Sequence, residues 1–283
     1  MTRYSPKIDV VFQKIFSSEE NKDLLLSLLN AVLNRKHPLT TITVKNPYNF
    51  AEYINSKRSI VDIKAEDDKG TIYDIEMQVG EIGMYGKRAL YYLSKLYTDQ
   101  IERGEDYESL NKVIGIHLLD FPYFPGDRYL RHLMLMDVDS KEVCERFDYQ
   151  ELYLIEMPKM TKDYDHLTTL LDRWISFLNR SHELNISSLP PEIAEEKTIV
   201  KAIEKLEVMN FSEKERRIYN LERKAFMDSK AEWRTALEKG EKRGEKIGIE
   251  KGRQIAFQES LQRLINHGMS EKDAKKILNI SAL

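Results

Sequence analysis

The stretch from Ser59 to Val79 constrains the fold of this chain more than any other. Val61, Ile63 and Ala65 alternate with Asp62, Lys64 and Glu66, and Ile75, Met77 and Val79 alternate with Asp74, Glu76 and Gln78. A period of two sends alternate side chains to opposite faces of a strand. The intervening Asp67-Asp68-Lys69-Gly70 is a turn signal, so the pattern predicts a β-hairpin. Its polar face would carry Asp74, Glu76 and Gln78 on one strand and Asp62, Lys64 and Glu66 on the other, with Asp62 brought close to Glu76 or Gln78. Such oxygen donors suit magnesium or manganese, which polarise a phosphate and lower the pKa of a bound water. The plainer reading of the same pattern is a half-exposed strand with carboxylates on its wet face. A hairpin followed by an apolar helix and a buried strand is expected mid-sheet, where carboxylates need partners.

The rest of the chain supplies helices around that hairpin. Apolar residues between Asp9 and Leu33 recur at three- and four-residue steps, broken near Ser17-Ser18, which predicts two helices. Met84 to Gly104 reads as a core-facing helix capped by Gly104, and Lys112 to Asp120 as a buried strand. Tyr129 to Val138 and Glu151 to Met157 read as two further strands. Helical spacing then returns over Tyr164 to Asn179, Pro191 to Val208 and Ser212 to His267. The expected architecture is an α/β core with a mixed sheet flanked by helices and an α-helical C-terminal extension. Three parts are expected: a core over 1–160, a helical subdomain over 161–236, and a charged segment over 237–283.

Composition narrows the function classes. The net charge of −3 gives no global attraction to nucleic acid, so any such binding needs a local basic surface. Cys144 is the single cysteine, which rules out an intrachain disulfide and fits a reducing cytoplasm. The opening Met1-Thr2-Arg3-Tyr4-Ser5-Pro6 reaches Lys7 and Asp9 before any apolar run of signal-peptide length, and no apolar run is long enough to span a bilayer. A soluble cytoplasmic protein is expected. The six histidines lack zinc-ligand spacing, and His117 reads as a core residue. No nucleophile elbow or phosphate-binding glycine loop occurs. Tyr91, Tyr92, Tyr97 and Tyr107 are candidates for stacking on bases, although aromatics at helical spacing are usually core.

The charged segment has its own signature. From Glu213 to Arg263 there are 14 Lys/Arg and 10 Asp/Glu, a local balance of 14 − 10 = +4. Within it Gly240, Gly244, Gly248 and Gly252 form a stripe at four-residue spacing, which suggests a close helix–helix approach or a flexible linker, and self-association is the favoured reading. Gly268 and Ser270 mark a break before a short terminal helix, giving a small helical hairpin for dimerisation, DNA contact or capping of the core.

Several ordered blocks carry a family resemblance. Asp9-Val10-Val11-Phe12-Gln13-Lys14-Ile15-Phe16, Val61-Asp62-Ile63-Lys64-Ala65, Ile75-Glu76-Met77-Gln78 and Arg88-Ala89-Leu90-Tyr91-Tyr92 resemble the Rpn recombination-promoting nucleases, also called PD-(D/E)XK family transposases. The match runs from about Lys7 to Asp120, and the glycine-bearing charged tail is similar too. The resemblance implies a restriction-endonuclease-like core in which Asp62 and Glu76 bind the metal. The wider superfamily usually has lysine two residues after the second acid, whereas this chain has Gln78, an amide that orients water without acting as a base. Lys64 is a candidate replacement for that cation. Asp9 either reaches the metal through water or caps the first helix. Arg88, with Lys87 beside it, either contacts a phosphate or is a solvated turn residue.

The resulting expectation is a magnesium-dependent DNA endonuclease, with manganese or calcium as substitute ions, acting as a homodimer on DNA. The roles expected are Asp62, Glu76, Gln78 and Lys64 in catalysis, Asp62, Glu76 and Asp9 at the metal, and Arg88 and Lys87 on DNA. The rival is a catalytically weak binding module of the same fold. A nuclease core by itself does not imply strand transfer.

Overall fold

The computed structural model describes residues 4–46, 62–80 and 83–278. The chain divides into two compact units, Met1–Lys230 and Ala231–Leu283.

The first unit is built on a six-stranded mixed sheet. Its strands are β1 (Thr43–Val44), β2 (Ile63–Glu66), β3 (Ile72–Gln78), β4 (Val113–Leu119), β5 (Leu130–Leu133) and β6 (Gln150–Glu156), in the spatial order β1-β2-β3-β4-β6-β5. Strands β3, β4 and β6 run parallel, and β1, β2 and β5 join antiparallel. The hairpin pairs Ile63 with Ile75 and Lys64 with Asp74, so the next pair outward is Asp62 with Glu76. Of the first predicted strand, 59–61 lie outside the described residues, and Asp62 sits at a bend just before β2.

The two faces of the sheet are covered differently, which decides where polar side chains are allowed. Tyr73, Ile75 and Met77 of β3 join Ile114, Ile116 and Ile155 in the main core, beneath α1 (Asp9–Phe16), α2 (Lys22–Leu33), α4 (Leu170–Arg180) and α6 (Lys197–Val208). Trp174 and Phe16, both fully buried, pack within it with tilted rings at a centroid distance of 5.5 Å. Helices α4 and α6 therefore share one core with the sheet. On the opposite face lies α3 (Tyr85–Thr98), whose Tyr85, Ala89, Leu93 and Leu96 pack on Val113, Leu152 and Leu154. Gly115 leaves room for this packing, since a Cβ there would meet Leu93 Cδ1 of the helix at 3.4 Å and Leu152 Cδ1 of the neighbouring strand at 2.8 Å. Glu76 and Gln78 lie toward the C-terminal end of β3 on that face, both partly buried.

Several element ends differ from expectation for local reasons. α3 stops at Thr98, and Gly104 lies beyond it in a turn at φ +98°, because Asp99 already closes the helix through its N–H to Lys95 O. The strand expected to reach Val138 is regular only to Leu133 and is followed by an isolated bridge between Met136 and Val143. α4 begins at Leu170 rather than Tyr164, set by a reciprocal cap between Thr169 and Asp172. The helix expected over 191–208 is two, α5 (Pro191–Ala194) and α6.

α7 (Glu213–Asn266) starts in the first unit and runs through the charged segment. In the second unit Gly268 ends it at φ +90°, and Ser270 caps α8 (Glu271–Ile277) by accepting the N–H of Asp273. A Cβ added at Gly240, Gly244, Gly248 or Gly252 would meet nothing within 4 Å. No helix among the described residues is long and apolar enough to cross a membrane.

Candidate active site

A cleft of about 380 Å³ opens at the C-terminal end of β3, and Asp9, Asp62, Glu76, Gln78 and Arg88 all line it. In open sheets with parallel strands this end is where ligands bind, because the loops diverge and main-chain groups point outward.

Each group arrives by a different route. Glu76 and Gln78 are positioned by the alternation of β3, and both are half-buried on the face that α3 packs against. Asp62 is fixed across the hairpin: its Oδ2 accepts the N–H of Met77 at 2.8 Å, and its own N–H donates to Glu76 Oε1 at 3.2 Å. Asp9 is the first residue of α1 rather than its cap, and the N-cap residue, Ile8, makes no side-chain cap bond. Arg88 lies in the first turn of α3, exposed, with its guanidinium 5.5 Å from the Tyr92 ring.

Among the described residues the electrostatics are those of an acid cluster whose members raise one another's pKa. Burial, then the neighbouring charge of Glu76, pushes Asp62 well above the ordinary aspartate value. Burial, then Asp74, does the same to Glu76, and burial, then Asp62 and Glu222, to Asp9. Arg88 opposes the rise at Asp62 and Glu76 without cancelling it. Lys7 also lines the cleft, but its Nζ is engaged by Asp120 Oδ1 at 2.5 Å.

Beneath the cleft lies a polar layer that the sequence does not reveal. Asp74 is fully buried, neither of its oxygens is hydrogen-bonded, and Oδ2 lies 3.9 Å from His117 Nε2. His117 sits on β4 directly beside Glu76, and its Nδ1 shares a 2.6 Å hydrogen bond with Tyr85 Oη. Burial lowers His117 to about 4, so it is neutral over most of the pH range, in keeping with a core residue. The alternation of β3 was the available signal for Asp74. Nothing in the sequence points to Tyr85, or to Glu222, which also lines the cleft.

Not every expected residue converges. Lys64 is not among the residues lining the cleft; it pairs across the hairpin with Asp74 and opposes the rise in that residue's pKa. Lys87 is exposed on α3, which carries Lys87, Arg88 and Lys95 and no acidic residue.

The donor set fits a hard divalent cation. Asp62 and Glu76 present carboxylate oxygens whose mutual repulsion such a cation relieves. Among the described residues no three His, Cys, Asp or Glu side chains form a ready ligand group, so water and phosphate oxygens would fill out the shell, as magnesium usually permits.

No curated protein and no solved structure matches the chain at a significant level. A family model described as PD-(D/E)XK nuclease family transposase matches residues 6–236, which takes in the whole cleft. The chain is therefore a member of the PD-(D/E)XK nuclease family transposases.

Proposed function

We propose that this protein is a divalent-metal-dependent endonuclease that hydrolyses phosphodiester bonds in DNA. The carrying observation is the meeting of Asp62, Glu76, Gln78 and Asp9 in one cleft at the C-terminal end of the parallel strands. Asp62 and Glu76 would hold the cation, magnesium by preference with manganese or calcium as substitutes, and Asp9 would reach it through water. When bound, the cation supplies an activated water and charge stabilisation at the phosphate. Gln78 orients the attacking water by hydrogen bonding. The water oxygen adds to phosphorus, the ester P–O bond breaks, and the leaving oxygen takes up a proton. Lys64 acts at one remove, through its charge on Asp74. Lys87 and Arg88 bind backbone phosphates, on the acid-free helix beside the cleft.

Association as a homodimer in the cytoplasm completes this reading. Leu133, Leu135, Met136, Val138, Val143 and Phe147 are exposed in and just after the edge strand β5, an apolar cluster of the kind that marks an interface. The charged segment over 237–283 remains a second candidate for self-association or DNA contact. We link the activity to recombination, mobile elements or defence against invading DNA.

Nicking of supercoiled plasmid by wild-type and Glu76→Ala protein, with magnesium, manganese, calcium or chelator, tests the reading. Metal-dependent cutting lost in the variant supports it. Binding of DNA without cutting in any metal favours the second reading, a binding module of the same fold, which Gln78 in the usual lysine position supports.

A further inference from the structure

The cleft holds a carboxylate from far along the chain. α7 passes the end of β3 so closely that a Cβ on Gly80, itself at φ +86°, would lie 2.0 Å from Ser229 Oγ. From this helix Glu222, Ala225, Phe226 and Ser229 line the same cleft as Asp9, Asp62 and Glu76. Glu222 Oε2 accepts the N–H of Val10 at 3.2 Å, one of the open donors at the start of α1.

Capping alone does not call for a charged residue there. An amide oxygen accepts the same bond, and Asp9 already places an acid in the first turn of α1. The charge of Glu222 instead adds to the repulsion at Asp9 and at Asp62, the two acids nearest the proposed cation. A divalent cation in the cleft relieves that repulsion, and each acid beside it adds to its electrostatic hold.

We propose that Glu222 is part of the metal site, contributing its negative charge to the affinity for the divalent cation, so that the start of α7 belongs to the functional centre. This rests on the metal-dependent reading above. It places a determinant of metal affinity outside the hairpin that bears the acid motif.

Glu222→Gln separates charge from capping, since it keeps an acceptor for Val10. The full-length protein, freed of metal with chelator, is titrated with manganese by calorimetry as wild type, Glu222→Gln, Glu222→Ala and Glu76→Gln. The expected result is a Glu222→Gln protein that melts no lower than wild type in chelator yet binds manganese about tenfold more weakly. The magnesium concentration for half-maximal cutting should rise by a similar factor. Glu222→Gln that binds manganese like wild type, with only Glu222→Ala losing stability, would reduce Glu222 to a cap and overturn the proposal while the metal site stands. Wild type that binds no manganese, or Glu76→Gln that binds it unchanged, would instead overturn the metal-site reading and this proposal with it.

Discussion

The N–H of Asp62 donates to Glu76 Oε1 at 3.2 Å, and Asp62 Oδ2 in return accepts the N–H of the residue after Glu76, so the two acids hold one another across the hairpin. Asp62→Asn keeps an acceptor for Met77 while removing the charge. It should fold as wild type does and lose plasmid cutting by at least about 100-fold, given what a metal ligand supplies. Circular dichroism and nicking on the same preparation check this, and cutting within about threefold of wild type would exclude Asp62 from the chemistry.

Raised carboxylate pKa values make stability depend on pH and on metal. Asp9, Asp62 and Asp74 sit well above the ordinary 3.8 and Glu76 well above 4.5. Their stabilising contribution is fully present below those ordinary values and is lost as pH rises through the folded ones. His117 runs the other way: lowered from 6.5 to about 4, it costs stability as pH falls between those values. Above pH 6.5 the imidazole no longer contributes, so the melting temperature without metal should fall as pH rises from there through the raised values of the acids, and magnesium should restore it at the upper end. A metal-free melting temperature that rises over that range would contradict the account.

The buried 2.6 Å bond between Tyr85 and His117 is a structural prediction in its own right. Tyr85→Phe leaves His117 Nδ1 without a partner in a site shielded from water, at a cost of about 1–3 kcal/mol in urea unfolding. A loss below about 0.5 kcal/mol would mean that water replaces the phenol.

Asp120 holds two cations, Lys7 Nζ at 2.5 Å and Lys230 Nζ at 2.8 Å. Lys7 is nearly buried, with its side chain 11% exposed, while Lys230 is half exposed at 45%, so only the first is expensive to strand. Asp120→Ala should cost about 3 kcal/mol through the uncompensated ammonium of Lys7. The double variant Lys7→Met/Asp120→Ala should recover most of that loss, and equal instability of the single and double variants would show that the pair is not the cause.

Sedimentation distinguishes the two candidate self-association surfaces. If the edge of β5 is the interface, Leu135→Asp with Phe147→Asp gives a monomer, and truncation after Glu238 leaves a dimer. The reverse pattern would assign association to the charged segment, and a monomeric wild type would remove the dimer from the proposal.

How much of this was legible in the sequence follows from the range of each interaction. Period-two alternation fixed the shared face of Asp74, Glu76 and Gln78, and the turn residues fixed the hairpin, because both are local properties of two adjacent strands; they left Asp62 facing either Glu76 or Gln78, and the observed register selects Glu76. Helix interiors were equally legible from their apolar spacing. Their ends were less so: Asp99 rather than Gly104 closes α3, and the Thr169–Asp172 cap sets the start of α4 at Leu170.

Sequence alone thus determined a hairpin with an acidic face, flanked by amphipathic helices, and the family to which those ordered blocks point. Tertiary structure alone decided which charges meet. The parallel register of β3 with β4 sets His117 beside Glu76, the docking of α3 brings Tyr85 to His117, and the passage of α7 over Gly80 carries Glu222 to Asp9. Such contacts join positions widely separated in the chain. They are chosen by how apolar faces pack in the core, which no local pattern encodes, and the charges at the cleft are carried along by that packing.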